Sequence, residues 1–147
     1  MIVWITGKSG SGKTTLAKDL MVKLQGINLD GNEMRESISQ GAGFSPEDRL
    51  RHNVKIARLA KVLERQMPVV VSLICPLNGI RDRVDSICSP IWIYLKRTLP
   101  DKRGHIFEEP PDSFKTIDVD ELDEGKVLEE ALEIIRGEDS SKVPVLP

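Results

Sequence analysis

The sequence predicts a three-layer α/β sandwich, a five-stranded parallel sheet flanked by helices. Three observations predict it. Short apolar runs alternate with helical stretches along the chain, as expected of strands buried on both faces and helices packed over them. A glycine-rich segment, Gly7 to Gly12, separates the first strand from the first helix. The length, 147 residues, suits one compact domain.

The elements follow in order. Ile2 to Ile5 is a continuous apolar run and reads as a buried strand. Thr14 to Gln25 reads as a helix with Leu16, Leu20 and Leu24 on one face. Ile27 to Leu29 is a short second strand ending at Asp30-Gly31. A weak helix from Asn32 to Gln40 stops at Gly41-Ala42-Gly43. Ser45-Pro46-Glu47-Asp48 is a helix start, with Ser45 as cap and Asp48 at capping-box spacing. That helix runs to about Gln66, with Leu50, Val54, Ala57, Ala60 and Leu63 near its inner face. Pro68 to Cys75 is the strongest strand, and a helix follows the Pro76–Gly79 turn to about Cys88. Ile91 to Leu95 is the fourth strand and Lys115 to Val119 an edge-like fifth. Asp123 to Arg136 is the last helix. The domain thus spans 1–136, with a lid loop over about 96–113 that lacks periodicity. Residues 137–147 read as a disordered tail.

Composition excludes several classes. With 21 basic and 23 acidic residues the net charge is −2, so gross positive charge cannot drive nucleic-acid binding. No apolar run approaches the roughly 20 residues of a membrane span. The apolar start lacks a basic flank and is not a signal peptide. Cys75 and Cys88 match no zinc spacing and suit free thiols in a reducing cytoplasm.

Gly7-Lys8-Ser9-Gly10-Ser11-Gly12-Lys13-Thr14 satisfies G-x-x-x-x-G-K-[ST] in the strand-to-helix context that the motif requires. Glycines let the backbone wrap a phosphate with its N–H groups inward, and the following helix presents its positive end. Lys13 reaches the β- and γ-phosphates, and the Thr14 hydroxyl suits Mg²⁺. The sandwich is therefore of the P-loop type, and the motif marks a nucleoside triphosphate site with a hydroxyl placed for Mg²⁺. No N-K-x-D motif marks a GTPase, and motor or helicase cores are usually larger. A small-molecule kinase fits the length and the Asp30-Gly31 step.

Further blocks resemble the adenylylsulfate (APS) kinase family. Trp4 to Ala17 resembles its opening, with Thr15 after the P-loop. Leu29-Asp30-Gly31-Asn32-Glu33-Met34-Arg35 is similar to its L-D-G-D-x-x-R, and Gly43-Phe44-Ser45-Pro46-Glu47-Asp48-Arg49 to its G-F-S-x-x-D-R. Ala57 to Ala60, Val69 to Pro76 and, more loosely, Phe107 to Pro111 extend the likeness. The resemblance implies a kinase sandwich and transfer of the γ-phosphoryl of MgATP to the 3′-hydroxyl of APS. Lys13 and Asp30 would be catalytic, Asp30 orienting the acceptor hydroxyl, taking its proton late, or holding a Mg²⁺-bound water. Arg35 and Arg49 would hold the anionic phosphosulfate, Phe44 would stack on adenine, and Asn53 and Cys75 would complete the acceptor site. Gly7, Ser9, Gly10, Ser11, Gly12, Thr14, Thr15 and Arg97 would hold ATP, with Lys96, Lys102 and Arg103 beside Arg97 as a cationic lid.

Blander readings stand beside these: a plain turn for Asp30-Gly31, solvated faces for the arginines, a hydrophobic staple for Phe44, a wet basic loop for the lid. His52 and His105 receive no role, and the stripe Arg51, Lys55, Arg58, Lys61, Arg65 reads as a wet helix face. The chain departs from the family at Asn32, which removes a charge near the magnesium, and at Cys75, Leu77 and Asn78, a segment that would reshape the acceptor pocket, and it lacks the family's G-F-T-G-[IV]-D lid motif. Another small nucleotide-like acceptor, or nucleotide binding without turnover, therefore stays open. The expected partner is a small nucleotide, with no nucleic acid and no membrane. Family members often pair, so a homodimer is open too, although no sequence strip declares an interface.

Overall fold

The computed structural model describes residues 1–102 and 105–138. The elements are β1 (Ile2–Thr6), α1 (Lys13–Leu24), β2 (Ile27–Asp30), α2 (Gly31–Glu36), α3 (Pro46–Leu63), β3 (Val69–Ser72), α4 (Asn78–Cys88), β4 (Ile91–Lys96), β5 (Lys115–Asp118) and α5 (Glu124–Glu138). The strands form one sheet in the order β2-β3-β1-β4-β5, and every pairing is parallel.

Strand alternation divides the core into two layers. Val3, Ile5 and Val70 point toward α1 and α5, where Leu16, Leu20, Ala131 and Ile135 cover them. Ile2, Trp4, Val69 and Val71 point the other way, against Ile56 and Ala60 of α3 and Val84 of α4. Each fully buried large apolar side chain contributes about 1.5–3 kcal/mol. Trp4, at 0% exposure, packs against Trp92, which in turn stacks on Phe114 at 4.7 Å.

From β1 the chain crosses to β2 at one edge, and from β3 it crosses past β1 to β4. A crevice therefore opens above the carboxyl ends of β1 and β3, the usual ligand position in such sheets. Both strand ends are shaped for it. β3 leaves the ladder at Ser72, earlier than the apolar run suggests. The Thr6 hydroxyl, buried at the end of β1, donates to the Ile74 carbonyl and pulls the segment over the sheet. Cys75 follows at φ 46°, a left-handed conformation.

Two helix boundaries also differ from the sequence reading. α2 ends at Glu36 and gives way to turns, with the Ser37 hydroxyl bonding back to the Glu33 carbonyl. α5 continues to Glu138, so the expected tail begins inside the helix, and 139–147 lie outside the described residues. Among the described residues, no helix is long and apolar enough to cross a membrane.

Candidate active site

The segment after β1 folds as a phosphate cradle because two glycine positions demand it. A Cβ on Gly7 would stand 2.7 Å from the Leu95 carbonyl oxygen and 2.7 Å from Ser11 Oγ. Gly12 caps α1 at φ 98°, which few L side chains adopt. The turn closes with Ser11 N–H donating to the Lys8 carbonyl at 3.1 Å. The first amides of α1 are left without helical partners, as at any helix start.

Lys13 is 9% exposed, and its ammonium donates to the Lys8 carbonyl at 2.8 Å. Burial lowers its pKa to about 8, with Asp30 pulling the other way and Lys102 adding to the lowering. Ser11 Oγ is buried with no hydrogen-bond partner among the described residues. An orphaned hydroxyl, a partly desolvated ammonium and a helix start together fit a triphosphate.

Asp30, the last residue of β2, splits its carboxylate. Oδ1 accepts from Thr14 Oγ1 at 3.1 Å and from Ser72 Oγ at 3.2 Å. Oδ2 accepts from the N–H groups of Asn32 (3.1 Å) and Glu33 (3.4 Å), capping α2. Ser72 escaped the sequence reading. Its signal was there, as the one hydroxyl in an otherwise apolar strand run, Val69 to Ile74. The oxygens of Thr14, Asp30 and Ser72 are hard donors of the kind Mg²⁺ takes beside phosphate oxygens. Among the described residues no cluster of three or more His, Cys, Asp or Glu could hold a metal alone.

A cleft of about 540 Å³ opens beside this network. Ser9, Gly10, Gly12, Lys13, Thr14 and Thr15 line one side, Asp30 and Cys75 the strand ends, and Arg35, Phe44, Arg49 and Asn53 the far wall. Phe44 is 56% exposed, so it is not a staple buried against the helix start. Arg35 lies over its ring at 4.4 Å, Arg49 at 5.4 Å, and His105 stacks on it at 5.5 Å. Arg35 is fixed by the carbonyls of Ala42 and Gly43, and Arg49 by that of Phe44. Ser45 caps α3 as the sequence suggests, accepting from Asp48 N–H at 3.1 Å.

Several placements differ from expectation. The inner face of α3 begins with Arg49, His52 and Asn53, while Leu50 is exposed. Leu77 and Asn78 lie outside the cleft, and Asn78 is engaged by Glu108, Glu109 and Arg81. Cys75 lines the cleft, but burial pushes its thiol up to about 12, so it serves as wall. Gly7 is buried behind the turn. Ser11 and Arg97 face a second cleft of about 350 Å³ on the α5 side, shared with Gly12, Thr15, Val119 and Asp120. Arg97 donates to the Gly10 carbonyl at 2.9 Å.

The loop after β4 crosses the P-loop. Lys8 bonds Asp101 at 2.9 Å and the Leu99 carbonyl at 3.1 Å, and Lys102 donates to Ser9 Oγ at 3.1 Å. Lys96 turns away to Glu109, and Arg103 lies outside the described residues.

The P-loop between two clefts, on a parallel sheet ordered 2-3-1-4-5, defines a P-loop protein of the small-molecule kinase fold. The Mycobacterium tuberculosis APS kinase, solved in complex with AMPPNP and APS, superimposes with a TM-score of 0.83 at 21% identity, over 92% of this chain and 96% of that one, which establishes the shared fold. The adenylylsulphate kinase family model matches residues 1–101, and the chain belongs to that family. A probable adenylyl-sulfate kinase of Aeropyrum pernix is 38% identical over 110 residues, covering 67% of this chain and 60% of the relative. One from Halalkalibacterium halodurans is 31% identical over 172 residues, covering 96% and 85%. The chain thus spans less than two thirds of the Aeropyrum relative's own length.

Proposed function

We propose that the protein transfers the γ-phosphoryl group of ATP to the 3′-hydroxyl of adenylylsulfate, giving 3′-phosphoadenylylsulfate. The observation that carries this reading is the placement of Asp30. It stands at the junction of the P-loop and the cleft, one oxygen on Thr14 and the other on the start of α2. ATP enters from the α5 side, its base and ribose in the cleft of Arg97, Val119 and Asp120, its phosphates in the P-loop. The acceptor enters the larger cleft, its ring against Phe44 and its anionic ester on Arg35 and Arg49, which offer forked donors.

The acceptor oxygen forms a bond to the γ-phosphorus as the bond to the β–γ bridging oxygen breaks. The hydroxyl proton passes to Asp30, and Lys13 stabilises the charge on the transferred group. Thr14, with Ser72 and Asp30 beside it, would hold Mg²⁺, which would supply positive charge against the phosphates. Family membership supports ATP as donor.

The test is product analysis. Purified protein with MgATP is offered adenylylsulfate, other nucleotides, gluconate and shikimate. Formation of 3′-phosphoadenylylsulfate well above every alternative product is the expected result. Turnover restricted to another acceptor overturns the choice of acceptor, and ATP binding without any transfer overturns the kinase reading.

A further inference from the structure

The first turns of α3 carry buried polar atoms with no hydrogen-bond partner among the described residues. His52 is 3% exposed and lines the larger cleft, yet neither ring nitrogen has a hydrogen-bond partner among the described residues. Asn53, also 3% exposed, donates from its amide to the Arg49 carbonyl at 2.8 Å and leaves Oδ1 unpartnered. Each such buried group costs about 1–3 kcal/mol, and folded proteins carry few of them. A leucine at position 52 would occupy similar space without that cost.

The chemistry of the pair differs from that of its neighbours. Arg35 and Arg49 are donors only and suit an anion. His52 is uncharged near neutrality, because burial and then the charges of Arg35, Lys55 and Arg49 push it down to about 4. A neutral imidazole offers one N–H and one bare nitrogen, and Asn53 Oδ1 adds a second acceptor. This part of the cleft therefore suits an uncharged N–H or O–H donor, which two guanidinium groups cannot accept.

Resting on the reading of this cleft as the acceptor site, we propose that His52, together with Asn53 Oδ1, binds a hydrogen-bond donor of the acceptor nucleotide, its purine 6-amino group or a ribose hydroxyl. The ring nitrogens are closed to solvent in the free protein. Asn53 Oδ1 is closed off in the same way, so contact goes with rotation of both side chains into the cleft they already line.

Calorimetry on the full chain, saturated with a non-hydrolysable ATP analogue, tests this with three ligands: adenylylsulfate, its inosine counterpart and its 2′-deoxy counterpart. Wild-type protein is expected to bind adenylylsulfate about tenfold tighter than one of the two analogues, the weaker one identifying the group bound. His52→Leu should weaken adenylylsulfate about tenfold and abolish that discrimination. Its affinity for the ATP analogue should not change, and its ligand-free melting temperature should hold or rise. His52→Gln, which keeps a donor and an acceptor, should recover part of the loss. Equal wild-type affinity for all three ligands, or a folded His52→Leu protein that still discriminates, overturns the proposal alone. So does a lower ligand-free melting temperature with discrimination intact, which marks a structural role. If wild-type protein fails to bind adenylylsulfate at all, the acceptor reading falls and this inference with it.

Discussion

On the strand-end side of the cleft, Asp30 uses both carboxylate oxygens and the hydroxyls of Thr14 and Ser72 meet on one of them. Across the cleft, Phe44 is half exposed between guanidinium groups and His105, while His52 and Asn53 hold atoms with no partner among the described residues. One wall is assembled within the protein itself, and on the acceptor reading proposed above the other is completed by its ligand. The difference matches the two tasks. Groups that stabilise developing charge work best when already oriented, whereas groups that select a substrate can leave bonds for it to complete.

Substitutions on the two walls should therefore separate. The largest effect is expected from Asp30→Asn, which keeps a side-chain acceptor for the α2 cap but cannot take a proton. Turnover should fall about 10²–10⁴-fold, with ATP affinity little changed by equilibrium binding. Near wild-type turnover would remove Asp30 as base and reduce the assembled wall to a scaffold. Phe44→Ala should act on the other wall alone. Base stacking is worth about 1–3 kcal/mol, so the acceptor KM should rise by about tenfold or more in steady-state kinetics, with ATP binding unaffected. An equal loss in ATP affinity would mean that the walls are coupled.

The smallest effect is a pH dependence located at Lys13. Its folded pKa, about 8, lies below the ordinary 10.5, so the free protein releases this proton as pH rises through 8. A bound triphosphate favours the ammonium. Below pH 8 the proton is already present and affinity for ATP is flat. Above it, binding takes up a proton, and affinity falls by up to about tenfold per unit. Calorimetry at pH 8.5 to 9.5, in buffers of different ionisation enthalpy, reads that uptake. The same displacement means that the burial penalty of Lys13 weighs on the free fold below pH 8 and is relieved from there toward 10.5. Uptake of no proton would place the phosphates away from Lys13.

The sheet and the P-loop were legible because their signals are local: apolar runs such as Ile2–Ile5, and the spacing from Gly7 to Thr14. The candidate acceptor wall was legible in part. Phe44, Arg35 and Arg49 stood out through the family blocks around them. At the start of α3 Leu50 was misread, because apolar periodicity assumes that the inner face of a helix meets the core. Its first turns meet the cleft instead, so Arg49, His52 and Asn53 point inward and Leu50 outward. Leu77 and Asn78 were misplaced for a related reason. Nothing local signals that residues 108 and 109, thirty positions away, take up Asn78. Ser72 matters through contacts with Asn28 and Asp30 of β2 that no spacing along β3 reveals.

The junction of β2 and α2 has no connecting residue: Asp30 ends the strand and Gly31 begins the helix. One carboxylate both closes the strand and starts the helix, which leaves the chain no slack there. An inserted residue after Asp30 would turn α2 by about 100°, carrying Arg35 off the cleft while leaving Asp30 beside the P-loop. Length at this point is therefore more tightly constrained by the geometry than the identity of any one residue of α2. The distance from the phosphate cradle to Arg35 is counted in residues.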